Sequence, residues 1–118
     1  MGLFSWKAKS VVVAKTCSAC GETLAEHSQV DVASAPVGSD DDARLTALIA
    51  EHRWAEARRY QAANATEDIR MWRMIRCRDG RVGVVARLMP FEIWSDDYYE
   101  EPQFLSDGER DRLLAELA

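Results

Sequence analysis

"DIRMWRMIRCRDGRVGVVARLM", residues 68–89, carries the reading that decides the fold. Apolar and β-branched residues run on both sides of Asp79 and Gly80, a dipeptide that tolerates left-handed backbone and suits a two-residue hairpin turn. Pairing outward from that turn sets Cys77 against Val82, Ile75 against Val84, Arg73 against Ala86 and Met71 against Leu88. These eight residues form one mostly apolar face, which places Cys77 on the core side near the end of the hairpin. The other face is expected to show Trp72, Met74, Arg76, Arg78, Arg81, Val85 and Arg87 to solvent.

Working outward, the six-residue run "SVVVAK" at 10–15 reads as a strand, and "QVDVA" at 29–33 alternates as a half-buried strand does. "SAPVGSDDD" at 34–42 is a loop that ends in helix-starting chemistry, with Ser39 or Asp40 as cap and acids suited to a helix N-terminus. The helical region extends over 41–63. Leu45, Leu48, Ile49 and His52 share one face, whereas Trp54 falls on the opposite side of a continuous helix. One bent helix, or two short helices turning near His52 and Arg53, would reconcile them. "LIAEHRWAEARRY" resembles the small helical hairpin of helical-repeat proteins, without a second copy. "FEIW" at 91–94 offers a further strand, and "SDDYYEEPQ" reads as an acidic aromatic loop. Ser106 with Glu109 forms a capping box for a short C-terminal helix carrying Leu113, Leu114 and Leu117.

The expected fold class is therefore α+β. A small antiparallel sheet, built from an N-terminal hairpin and the 70–89 hairpin, packs with a central helix or helical hairpin and a short C-terminal helix. A length of 118 residues fits a single domain spanning 1–118, with 1–9 and 34–40 expected to be flexible.

The chain carries a net charge of −5, arranged in blocks. From residue 53 to residue 87 there are nine arginines against four carboxylates. Residues 22–51 hold seven acids against Arg44, and residues 92–111 hold eight against Arg110. Pairing between these blocks is the simplest account of them. The longest apolar run is too short to span a bilayer, and "MGLFSWKAKS" lacks a secretory apolar block. A cytoplasmic location with no membrane partner is expected, and there the three cysteines would be reduced or metal-bound.

Two of those cysteines lie in "KTCSACGETLAEH", residues 15–27. Thiolates two residues apart can share one zinc ion when the backbone turns tightly, and a following glycine permits the positive φ of such a turn. "CSACG" resembles half of a zinc-ribbon or zinc-knuckle site, a resemblance that implies a structural zinc. The second CxxC of the ribbon is missing. Cys77, in "CRDG", would be the third ligand, and His27 or His52 the fourth, ahead of Asp79.

"VVVAKTCSAC" also resembles the start of a thioredoxin or glutaredoxin domain, which would imply CxxC oxidoreductase activity. Gly21 in the first helical turn and the lack of a proline before Ile69 oppose it. A third reading leaves Cys17 and Cys20 as reduced thiols without a shared ligand.

No catalytic residue, phosphate-cradling loop or small-molecule substrate is inferred. The face of Trp72, Arg76, Arg78, Arg81 and Arg87 is a candidate surface for a protein partner or a nucleic acid. Asp96, Asp97, Tyr98, Tyr99, Glu100 and Glu101 form a candidate acidic partner surface. The overall expectation is a small cytoplasmic interaction or regulatory protein stabilised by zinc. A nucleic-acid-binding accessory, a CxxC oxidoreductase and a small acidic immunity or inhibitor protein are the alternatives.

Overall fold

The computed structural model describes residues 16–62, 68–89 and 98–118. Its elements are β1 (Ser28–Pro36), α1 (Asp40–Ala50), α2 (Trp54–Ala57), β2 (Ile69–Arg76), β3 (Val82–Met89), β4 (Tyr98–Tyr99), β5 (Gln103–Phe104) and α3 (Asp107–Leu117). The sheet is antiparallel in the order β1-β2-β3-β4, and β5 also pairs with β3. This is a small α+β fold. The expected strands at 10–15 and 91–94 lie outside the described residues.

The β2–β3 hairpin forms, but one residue out of the expected register. Gly80 has φ of 93° and its amide donates to the Cys77 carbonyl at 3.0 Å, while the Cys77 amide donates to the Arg81 carbonyl at 2.9 Å. The loop is thus three residues, Arg78 to Gly80, and glycine takes the left-handed position that closes such turns. Arg76 consequently faces Val82, Met74 faces Val84 and Trp72 faces Ala86, while Ile75 faces Gly83 and Arg73 faces Val85. Side chains alternate along a strand, so a one-residue slip exchanges the faces of β3 relative to β2.

Both faces of the sheet are covered as a result. On one side Trp72, Met74, Val82, Val84 and Ala86 pack with Leu45 and Ile49 of α1, Trp54 and Ala57 of α2, and Leu113 of α3. On the other side Ile75, Cys77 and Val85 pack with Cys17, Leu24 and Tyr99. A register shift in β1 between Asp31 and Ala33 turns Val32, Ala33 and Ala35 all toward the core.

The helices follow the two-helix alternative. Ser39 caps α1 by accepting the Asp42 amide at 3.1 Å. The chain reverses at His52, whose φ is 58°, and Trp54 then opens α2 facing inward. The loop expected at 34–42 is shorter, because β1 runs to Pro36 and α1 starts at Asp40. Ser106 caps α3 as expected, yet Glu109 does not complete the box: its carboxylate accepts from His52 and Arg112.

β5 lies close against β3 at Gly83. A Cβ there would meet the Gln103 carbonyl oxygen at 2.9 Å and the Phe104 ring at 3.1 Å. Gly83→Ala should lower stability by about 1–3 kcal/mol through overpacking against backbone, measured as a shift in the denaturant midpoint at unchanged slope.

Candidate metal centre

Two turns from distant parts of the chain bring the site together. In the first, the Cys17 amide donates to the Glu22 carbonyl at 2.8 Å and the Gly21 amide to the Cys17 carbonyl at 2.9 Å. Gly21, at φ of 78°, closes this knuckle. A bridge between Thr16 and Thr23 and a 3-10 turn over Leu24–Glu26 then swing His27 back over it. The second turn is the β2–β3 hairpin end, where the register found above sends Cys77 toward the knuckle.

The side chains converge beneath the sheet. Cys17 Sγ lies 3.8 Å from Cys77 Sγ, and His27 Nε2 lies 3.1 Å from Cys20 Sγ and 3.6 Å from Cys77 Sγ. All four ligand atoms fall within 4.8 Å of one another. Cys17 and Cys77 are buried, at 2% and 3% exposure, whereas Cys20 is half-buried. His27 Nδ1 sits 3.0 Å from the Thr23 carbonyl oxygen. A carbonyl only accepts, so Nδ1 carries the proton and Nε2 turns its lone pair to the sulfurs. These four residues could hold a metal ion.

The electrostatics distinguish the thiols. Burial pushes the Cys17 thiol up, but backbone hydrogen bonds from Cys20 and Ala19 and contacts with the Cys20 and Cys77 side chains outweigh it, so the net shift is downward. Burial, reinforced by the Cys20 and Cys17 sulfurs, pushes the Cys77 thiol up to about 12. Three sulfurs in contact cannot all be anionic without a cation among them.

The structure chooses between the histidines. His52 lies elsewhere, stacked on Trp54 with ring centroids 5.2 Å apart and hydrogen-bonded to Glu109. Burial pushes the Glu109 carboxyl up, but hydrogen bonds from Arg112 and His52 outweigh this and hold it below the usual range. Asp79 instead accepts the Arg81 amide and pairs with the Arg81 guanidinium.

The expected Arg and Trp surface is divided. Trp72 is 4% exposed and packs on the helix side, so the register overturns its outward placement. Arg87 pairs opposite Met71 on the face of Cys77, where it is half-buried. Arg76, Arg78 and Arg81 remain exposed at the hairpin end, with Arg78 reaching Glu22 at 3.2 Å. The acidic surface is also reduced. Tyr99 is buried, with its hydroxyl accepting from Gln29 at 3.2 Å, and Glu100 pairs with Arg70 at 2.7 Å. Glu101 is exposed, Tyr98 pairs its backbone with Leu88, and Asp96 and Asp97 lie outside the described residues.

Comparison with known protein families, curated proteins and solved structures gives no match.

Two features escaped sequence reasoning. One is the buried Asp42, which accepts from Arg70 at 3.0 Å and from the Gly38 amide at 2.9 Å. In the sequence it is one of three acids at a helix start, with no sign that β2 supplies it a guanidinium. The other is Thr23, whose contribution is a backbone carbonyl.

The geometry sets an outcome for each histidine. His27→Ala should weaken metal binding by more than about 100-fold in a competition titration, while His52→Ala leaves it unchanged. Cys77 is protonated at neutral pH in the metal-free form, so loading must release its proton. Metal uptake in weakly buffered solution should acidify the medium, and affinity should fall as pH is lowered.

Proposed function

We propose that the cluster holds one structural zinc ion and that the chain is a small interaction or regulatory protein whose hairpin end is fixed by that ion. The spacing of the ligand atoms carries this reading. Tetrahedral zinc, with Zn–S of about 2.3 Å and Zn–N of about 2.0–2.1 Å, requires sulfurs about 3.8 Å apart and sulfur to nitrogen about 3.6 Å. Cys17 to Cys77 at 3.8 Å and Cys77 to His27 at 3.6 Å agree, Cys20 to His27 at 3.1 Å is shorter, and the remaining pairs lie within 4.8 Å, so that closing the shell asks for shifts of up to about 1 Å. Three thiolates and an imidazole fill the coordination shell, which suits a structural ion and leaves no position for substrate. The hydrogen bond from His27 to Thr23 is the outer support that metal-bound histidines have.

Support for the oxidoreductase alternative is weaker at the same residues. The CxxC is followed by a turn and a three-residue 3-10 segment rather than by a helix whose N-terminus would activate the first thiol. Nucleic-acid binding loses its stacking residue with the burial of Trp72, and Arg76, Arg78 and Arg81 alone do not single it out. A protein partner meeting these three exposed arginines remains the proposed use of the hairpin end.

Elemental analysis of protein purified without chelator should give about one zinc per chain, lost in the Cys17→Ser, Cys20→Ser double variant. Chelator should lower the melting temperature of the parent protein and leave that of the variant unaltered. A folded, metal-free parent protein would refute the reading.

A further inference from the structure

We propose that Cys17 and Cys20 are also a modification site for small hydroperoxides, closing to a disulfide that expels the metal. The proposal rests on the zinc reading. Its basis is the unequal placement of the three sulfurs. Cys17 and Cys77 are buried, and Cys20 alone of the three is half-exposed, so a small oxidant reaches the centre through Cys20. Cys20 lies in the same turn as Cys17, three positions on, with its Sγ within 4.8 Å of the Cys17 Sγ. Cys77 is held by the paired backbone hydrogen bonds of the hairpin end and by the β2–β3 register. Cys77 Sγ lies 3.8 Å from Cys17 Sγ, but a Cys17–Cys20 bond closes within one turn, whereas a bond to Cys77 would tie the knuckle to a separately held strand end.

The chemistry balances with the hydroperoxide as sole oxidant. The Cys20 thiolate attacks the O–O bond of hydrogen peroxide, forming an S–O bond and releasing hydroxide. The Cys17 thiolate then attacks the Cys20 sulfur, forming the S–S bond as the S–O bond breaks and a second hydroxide leaves. Two thiolates together lose two electrons, the peroxide gains them, and two protons convert the hydroxides to water. Only Cys77 and His27 would then remain to hold zinc, too few to retain it. Reduction of the disulfide by a dithiol restores both ligands, so the modification is reversible.

The test uses the full zinc-loaded chain, with zinc content measured first. Hydrogen peroxide is then added beside a chromogenic zinc chelator, and the thiols are mapped by alkylation and peptide mass analysis. The expected result is release of about one zinc per chain with loss of two thiols, a Cys17–Cys20 linked peptide and an alkylated Cys77. Dithiothreitol with added zinc should restore the starting state. Retention of zinc and all three thiols, under conditions that fully oxidise free cysteine, would overturn the proposal, as would a disulfide involving Cys77 or sulfinic acid without any disulfide. Protein that carries no zinc before peroxide defeats the metal reading, whereas zinc-loaded but inert protein defeats only this inference.

Discussion

The register of one hairpin organises this molecule. Gly80 in left-handed backbone makes the β2–β3 loop three residues long, and every pairing from Arg76 with Val82 to Ile69 with Met89 follows. Because side chains alternate, that single choice sends Trp72, Met74, Val84 and Ala86 to the helices and Ile75, Cys77 and Val85 to the opposite side. A two-residue loop would move the β3 set across and place Val84 and Ala86 beside Cys77. The Cys17, Cys20, His27 and Cys77 cluster and the helix-side core therefore depend on the same turn.

A sheet covered on both faces explains why the arginines of the central block are distributed rather than gathered. Arg70 lies beneath the helices, where Asp42 and Glu100 meet its guanidinium from two different acidic blocks. Arg73 turns the other way and pairs with Asp31 of β1. Arg58 reaches Glu116 of α3 at 4.0 Å, whereas Arg53 pairs locally with Glu56. The acid, base, acid order along the chain thus becomes pairing between neighbouring elements, and the exposed arginines left at the hairpin end sit beside the knuckle.

Much of this was legible in the sequence because it is local. Strand β1, the cap at Ser39, the reversal near His52, the cap at Ser106 and the existence of the hairpin each follow from a few adjacent residues. The clustered residues are legible as types, with His27 and His52 both open. What brings one of them to the cysteines is long-range: His52 is drawn to Glu109, 57 residues away, while the 3-10 turn returns His27 to Cys20. The register was misread because Asp79-Gly80 serves two loop lengths, and both leave plausible apolar faces on so apolar a β3. The burial of Trp72 and Tyr99 is hidden in the sequence for related reasons. A tryptophan among arginines and a tyrosine among acids look exposed until the sheet is known to have two covered sides.

The knuckle is also where an ion, if held as proposed, would contribute most to the fold. Among the described residues, the helix-side core contains thirteen buried residues, including Leu45, Ile49, Trp54, Trp72 and Leu113, whereas the opposite cluster contains six, two of them cysteines. Within residues 16–27 only Leu24 is a large, fully buried apolar side chain, contributing about 1.5–3 kcal/mol. Fixing the backbone of that dozen residues costs on the order of 12–24 kcal/mol at about 1–2 kcal/mol each. Burial of Leu24 alone falls well short of this; the backbone hydrogen bonds of the turn add to it, and the proposed structural zinc would add about 10–16 kcal/mol. On the proposed reading Cys77 would supply the anchor on the sheet and Cys17, Cys20 and His27 would order the segment around it, so that removing the ion would loosen residues 16–27 and the underside of the hairpin first, while the helices stay packed on Trp72 and Met74.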